Sequence, residues 1–481
     1  MNMTNRRADL LGGPIRPTIL KMAAGMIVGM LAMSAFNATD TYFVGRLGPT
    51  DLAAMSYTFP VVMIIGSVAL GLGVGLSSTV SRAIGGGNHH KVKRLTTDGL
   101  ILAVLIVAVL SALGLITIDP LFRSLGASGE TLEKIRRYMR IWYIGMPFVV
   151  IPMAGNNVIR ATGDTLTPTL IMVISVVINV ALDPLLIFGI GFWPEMGIAG
   201  AALATVFARM SSFLVSLYIL SFRERVITLE RAGAHEMIEN WKEIAFVGIP
   251  AALVQAINPI SLSVITRILS SYGDEAVAAF GAASRVEMLV LMIPMTLAAV
   301  LAPFIGQNWG AKHFDRILKG LNFTALISLG WGLIVFFAFL PSSSAVISIF
   351  SRNPAVISTG ALYLRIISIS YGFLGLMFLS SQAFNAVNKP IQAAFVTLTK
   401  AFVLNVPLAL AGSYLFGLPG VFVSTFIANT AAGILGMVLF HRMLRNHEAE
   451  QETGESGSFE QPVRGQTRER IVSQGKIPDN H

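Results

Sequence analysis

The sequence contains no cysteine among its 481 residues. Disulfides, thiol catalysis and cysteine-ligated metals are therefore excluded. Charge is also scarce: Asp, Glu, Lys and Arg make up 13% of the chain, against about 25% in an ordinary soluble protein. The seven histidines show no metal-ligand spacing. No glycine-rich GxxxxGK[ST] loop is found, so ATP hydrolysis is not the energy source. Barrel-type alternation of apolar and polar residues is missing as well, which leaves helices as the means of crossing a bilayer.

In place of charge there are long apolar runs, and 54% of the residues are hydrophobic. The runs lie near residues 17–45, 52–83, 95–119, 135–161, 165–191 and 197–221, then 244–270, 276–306, 317–341, 355–386, 391–416 and 418–442. Each is near or beyond the roughly 20 residues that span a membrane. The expected fold is an all-α integral membrane protein with twelve transmembrane helices in two six-helix bundles related by pseudo-two-fold symmetry. The expected division is 1–222 for the N-terminal bundle, 223–243 for a cytoplasmic linker, 244–443 for the C-terminal bundle, and 444–481 for a disordered cytoplasmic tail poor in apolar residues.

Lys and Arg outnumber Asp and Glu by 35 to 26, a formal net charge of +9. In a soluble protein this would suggest nucleic acid; here it reads as topology. Lys91, Lys93, Arg94, Arg223, Arg225, Lys312, Arg316, Arg442 and Arg445 fall on one side of the expected helices. That side, with both termini, is expected to be cytoplasmic. The N-terminal stretch "MNMTNRRADLLGGPIRPTIL" reads as a cytoplasmic anchor, because the apolar run after it is too long for a signal peptide.

The two halves resemble each other in order. "RLGPTDLAAM" (46–55) matches "SYGDEAVAAF" (271–280), and "RAIGGGNHHKVKR" (82–94) matches "PFIGQNWGAKHFDR" (303–316). "IRATGDTLTPTL" (159–170) matches "AFNAVNKPIQAA" (383–394), and "GIAGAALATVFA" (197–208) matches "GLPGVFVSTFIA" (417–428). The offset is 225 residues for the first pair and 220 for the last. An even number of helices per half makes the repeats parallel, as in many transporters.

Asp40 ends one apolar run and stands just before another. A carboxylate in lipid is costly, so an intramembrane acid is functional by default. It lies with Met22, Met26, Met30, Met33 and Asn37 within an arc of about 80° on the first helix. Methionine is flexible and common where a surface accepts varied ligands; the competing reading is a packing face eased by Gly25 and Gly29. In the fifth run Asn179 and Asp183 are four residues apart on one face, and Thr205 lies in the sixth, one turn past Ala201. Two carboxylates, an amide and a hydroxyl are hard oxygen donors, suited to a proton or to Na⁺. The second half lacks such acids, since Asp40 aligns with Ile265 and Asp183 with Pro407. Glu287 reads as a structural partner in preference to a second protonation site, while Arg365 and Lys400 are expected to pair or snorkel.

The stretches "DTYFVGRLGPTDLAAMS", "NNVIRATGDTLTPTL", "NVALDPLLIFG" and "IGQNWGA" resemble the multidrug and toxic compound extrusion (MATE) family, over essentially all twelve helices. That resemblance implies a V-shaped pair of bundles that alternates access and expels cationic or amphipathic compounds in exchange for H⁺ or Na⁺. Asp40 and Asp183 resemble acids of the DinF-like branch, where they form an N-terminal cation site. Asn179, Ala201 through its carbonyl, and Thr205 resemble that branch's further ligands. If Na⁺ is the coupling ion, Asp40, Asn179, Asp183 and Thr205 would hold it. Met26, Met30, Met33, Asn37, Asn156 and Asn157 are the candidate substrate contacts. That branch can bend its first helix at a proline; here a bend would have to use Gly25 or Gly29.

The expected function is thus secondary active multidrug efflux across the bacterial inner membrane. The protein is expected to be no enzyme, to need no cofactor beyond the coupling ion, and to act as a monomer on small organic cations within the lipid bilayer. The alternative within transport is a lipid-linked oligosaccharide flippase, which would line its cavity with cationic residues. An intramembrane aspartyl protease fails, because the nearest match to its Gly-x-Gly-Asp stretch, "ATGD" at 161–164, lacks the first glycine.

Overall fold

The computed structural model describes residues 8–191, 193–230 and 233–452. Its first half contains α1 (Ile15–Gly45), α2 (Pro49–Gly85), α3 (His89–Ser124), α4 (Gly129–Gly145), α5 (Pro147–Ala161), α6 (Leu166–Phe188) and α7 (Ile198–Tyr218). The second contains α8 (Ala234–Ser270), α9 (Asp274–Gly310), α10 (Phe314–Ser348), α11 (Pro354–Ile367), α12 (Ser370–Ala386), α13 (Pro390–Leu398) and α14 (Val406–Glu452). Wider π turns extend α7 over Ile219–Arg223 and join α13 to α14 over Thr399–Asn405.

Nine helical segments among the described residues are long and apolar enough to cross a bilayer, and α11 with α12, bent by 56°, makes a tenth. The pair α4 and α5, which meets at Pro147, is the first-half counterpart of that bent span. A break at Gly417 (φ 64°, ψ −147°) divides the last long segment in two. Twelve spans result, six to each half.

The repeat is written in the backbone as well as the sequence. Positive φ occurs at Gly48 and Gly273, at Gly87 and Lys312, at Gly163 and Asn388, and at Gly197 and Gly417. The first three pairs are 225 residues apart and the last 220, the offsets of the sequence matches. These are turns at helix ends, where a left-handed residue reverses the chain. Asn388 suits that conformation; Lys312 adopts it (φ 60°) at a cost of about 1–2 kcal/mol, as the repeat demands the turn whichever residue fills it.

The halves form one compact body ending at Phe440. They meet where α2 crosses α8: a β-carbon at Gly71 would lie 2.4 Å from the Gly248 carbonyl oxygen, so only glycine permits the approach. Polar contacts between halves cluster at the end of the bundle that carries the basic loops. There Ser78 donates to the Asn385 carbonyl (2.5 Å), and Gln307 Nε2 to the Ala161 carbonyl (2.7 Å). Arg82 donates to the Ala386 carbonyl and pairs with Glu243 (3.1 Å).

Two expected boundaries shift. Residues 234–243, expected in the linker, are the first turns of α8. Hydropathy misses them because they are held by polar bonds: Asn240 donates to buried Asp98 (2.7 Å), Trp241 to the Asp98 carbonyl (2.8 Å), and Arg94 pairs with Asp98 (2.6 Å). At the other end, α14 stays helical through Glu452, so residues 444–452 of the expected tail are helix. The remaining tail, 453–481, lies outside the described residues.

Candidate cation-coupling site

Three helices bring the expected ligands together. Helices α1 and α6 run in the same direction and pack closely, through α1 glycines. Thr165 donates to the Met22 carbonyl (3.1 Å) and Thr169 to the Gly25 carbonyl (2.9 Å). A β-carbon at Gly29 would meet Thr169 Oγ1 at 3.1 Å. Helix α7 returns antiparallel beside α6. Gly25 and Gly29 therefore do pack, as the competing reading of this face held, while the methionines beside them are left for other contacts.

Two layers of side chains bracket the site. One turn beyond Asp40, Asp183 and Thr205 come Val44, Ile187 and Ala201, all buried in one apolar cluster with Tyr138 of α4. One turn the other way come Phe36, Asn179 and Arg209, and there the Arg209 guanidinium lies 4.7 Å above the Phe36 ring. Since α1 and α7 touch on one side and share a cluster on the other, Asp40, Asp183 and Thr205 are held between.

The four oxygen-bearing side chains are removed from solvent: Asn179 and Asp183 are 0% exposed, Asp40 7% and Thr205 8%. Asn179 Nδ2 donates to Asp183 Oδ1 (3.2 Å), which fixes the carboxylate by an i,i+4 bond. Asp40 Oδ1, Asn179 Oδ1, Asp183 Oδ2 and Thr205 Oγ1 are buried with no hydrogen-bond partner among the described residues. Asp40, Asp183 and Tyr138 lie within electrostatic reach of one another. Buried polar atoms are nearly always satisfied, so a cluster of unsatisfied oxygens around two like-charged acids has the donor set for a proton or a small hard cation.

Other expected residues are placed differently. Met30 Sδ accepts from Thr296 of α9 (2.9 Å) and thereby faces the second half; Met33 Sδ accepts from Arg209 (3.4 Å). Met26 is partly buried and Asn37 exposed. Asn156 is buried on α5 with an unpartnered Oδ1. Asn157 donates to the Met153 carbonyl (2.8 Å) and packs against Gly73 of α2. Ala201 contributes packing to the apolar layer. Helix α1 is unbroken from Ile15 to Gly45. Asp164 of "ATGD" caps the start of α6 and pairs with Arg223, a structural role.

Sequence reasoning passed over Tyr138 and Arg209. Tyr138 sits in the polar, strongly amphipathic α4, where nothing marks it. Arg209 did carry a signal, a lone charge in the apolar run "GAALATVFARMSSFLVSLY".

The comparisons with known proteins agree with the two-repeat helical fold. The MatE family model matches residues 26–185 and again 250–411, one copy in each half. The chain is 38% identical over 437 residues to the FAD transporter of Shewanella oneidensis, covering 91% of this chain and 97% of that one. It is 25% identical to the multidrug export protein MepA of Staphylococcus aureus, over 89% of this chain and 94% of that one. The crystal structure of the Vibrio cholerae MATE transporter VcmN in the bent form superposes with a TM-score of 0.85 at 27% identity, covering 90% and 97% of the two chains. With two matched repeats, twelve spans and transporters on every side of the comparison, the chain belongs to the MATE family of membrane transporters.

Proposed function

We propose that this transporter is a secondary active exporter of amphipathic organic compounds, driven by H⁺ or Na⁺ bound at Asp40, Asn179, Asp183 and Thr205, with the Ala201 carbonyl at the edge of the site. The observation that carries the reading is the set of four buried, unpartnered oxygens on α1, α6 and α7. A cation entering would satisfy them and relieve the repulsion between two acids; its departure would restore both costs. That difference between loaded and empty states is what lets an ion bias a conformational equilibrium. Each charge moved through 100 mV supplies about 2.3 kcal/mol.

In this reading the basic end faces the cytoplasm, both termini included, in the inner membrane of a bacterium. The bonds of Ser78, Arg82 and Gln307 close that end, so the state described is sealed toward the cytoplasm. The protein acts as a monomer, with no cofactor besides its coupling ion. The flavin nucleotide of the Shewanella relative is a second substrate reading, supported by the 38% identity to that relative against 25% to MepA.

The test is efflux from proteoliposomes under an imposed pH gradient and, separately, an imposed Na⁺ gradient. One of the two should drive transport in the wild type, and neither should in Asp40→Asn. Efflux by the variant at the wild-type rate under both gradients would remove the site from the mechanism.

A further inference from the structure

Most partly buried cations among the described residues are matched by acids. Arg94 pairs with Asp98, Arg82 with Glu243 and Arg223 with Asp164; Lys400 is within electrostatic reach of Glu287. Arg160, Arg209 and Arg316 have no ion pair among the described residues, and Arg316 is satisfied instead by Asn308 Oδ1 and the Leu10 and Gly13 carbonyls. Arg160 stands one residue from the end of α5, at the basic end, where a long side chain reaches water. Arg209 is partly buried and lies near the middle of α7, eleven residues from Ile198 and nine from Tyr218, so no helix end offers it that route.

The contacts of Arg209 are a thioether at 3.4 Å and a phenyl ring at 4.7 Å. A guanidinium has five N–H donors in a planar fork, and a sulfur acceptor is a weak match for one of them. A membrane charge left in this state costs several kcal/mol, a cost that persists only where something else uses the charge. The neighbours show where that use lies. Met33 and Phe36 belong to α1, and Met30, one turn from Met33, meets Thr296 of the opposite half. The guanidinium is therefore on the methionine-bearing surface turned toward the junction of the halves, one turn from Thr205 of the coupling site. An organic cation brought there would meet a fixed positive charge; an oxyanion would neutralise it and match the fork in two parallel bonds. Phe36 beside it, already stacked on the guanidinium, supplies an edge for a flat ring.

We infer that Arg209 recognises the anionic group of the exported compound, and that the substrate class is an aromatic oxyanion, a carboxylate or a phosphate ester. The inference rests on the exporter reading and fixes the sign of its substrate. It also departs from the organic cations expected from the sequence.

The test is equilibrium binding without any gradient, by fluorescence anisotropy on protein in nanodiscs of zwitterionic lipid. Fluorescein and rhodamine 6G share a ring system and differ in charge. The wild type should bind fluorescein more tightly than rhodamine 6G. Arg209→Gln should weaken fluorescein at least about ten-fold, since a charge-assisted bond contributes about 1.5–3 kcal/mol, and leave rhodamine 6G unchanged or improved. Arg209→Lys, which keeps charge but not the fork, should fall between. Should Arg209→Gln fail to fold, the wild-type ranking of the two dyes and the Lys variant still decide. Tighter binding of rhodamine 6G to the wild type, or fluorescein binding indifferent to both substitutions, overturns the inference. Loss of the Arg209-dependent binding when phosphatidylglycerol is added would overturn it too, by assigning the guanidinium to a lipid phosphate. Asp40→Asn separates this from the exporter reading: it should keep Arg209-dependent binding while losing gradient-driven efflux.

Discussion

The two halves share a backbone and differ in what their acids have to bond to. Four left-handed turns recur at offsets of 225 and 220 residues, and each half has one span built from two shorter helices. In the first half Asp40, Asn179, Asp183 and Thr205 leave four buried oxygens without partners. In the second, the position of Asp40 is held by Ile265, 4% exposed, and that of Asp183 by Pro407. The second-half acid Glu287 is satisfied: Tyr363 Oη donates to Oε2 at 2.7 Å, and Lys400 lies within electrostatic reach. Duplication thus repeated the scaffold without the chemistry. A satisfied acid needs nothing from outside the protein, whereas the unsatisfied pair does, and this is the distinction between structural and coupling carboxylates.

The largest effect should come from the unsatisfied pair. Asp40→Asn and Asp183→Asn each preserve size and remove the titratable charge, so each should insert normally and lose gradient-driven efflux by at least about ten-fold, or about 1.4 kcal/mol. The double variant should be little worse than either single one, because groups acting as a unit are not additive. Initial rates in proteoliposomes check this. Independent, multiplying losses would mean that the two acids serve separate sites.

Next comes an attempt to give the second half what it lacks. Ile265→Asp places an acid at the repeat-related position, but without counterparts of Asn179 or Asp183 around it. It should reduce membrane accumulation, at about 2.5–3.5 kcal/mol for an unpaired membrane acid, and should not rescue Asp40→Asn. Restored efflux in the Asp40→Asn, Ile265→Asp double variant would break the comparison by showing that either half can host the coupling group.

A smaller effect is expected at Glu287. Glu287→Gln still accepts from Tyr363, so the variant should lose about 1 kcal/mol of stability and retain most of its efflux. Thermal melts in detergent together with efflux rates separate the two. Full loss of efflux at normal expression would move coupling at least partly into the second half. The smallest effect belongs to removal of residues 453–481, whose composition is too polar for a packed core. Efflux and insertion should both match the full chain.

How much of this was legible in the sequence follows from what hydropathy encodes. Segment positions come from apolar length alone, so the twelve spans, the repeat and the anomaly of Asp40 and Asp183 could all be read directly. The helical face of the methionines was also readable, but not which helix it meets; Met30 turns to Thr296 and Met33 to Arg209 through packing that no single segment contains. The start of α8 was hidden because Asn240 and Trp241 fasten it to Asp98 by hydrogen bonds, which leave no apolar signature. Tyr138 was hidden for a related reason: in α4 it is one aromatic among several, and only the fold brings it within reach of both acids. Arg209 differs from these. Its charge stood in plain view within an apolar run, and the rule that drew attention to Asp40 applies to it equally.

The central claim is that a cation held by the oxygens of Asp40, Asn179, Asp183 and Thr205 is coupled to the substrate, and it can be tested on the ion itself. Purified protein in weakly buffered detergent solution is given substrate while released protons are followed with a pH-sensitive dye and released Na⁺ with a sodium electrode. The account predicts that substrate displaces one of these ions from the wild type, and that the release disappears in both Asp40→Asn and Asp183→Asn while the substrate still binds. Release of the same ion, in the same amount, from the Asp40→Asn, Asp183→Asn double variant would contradict it.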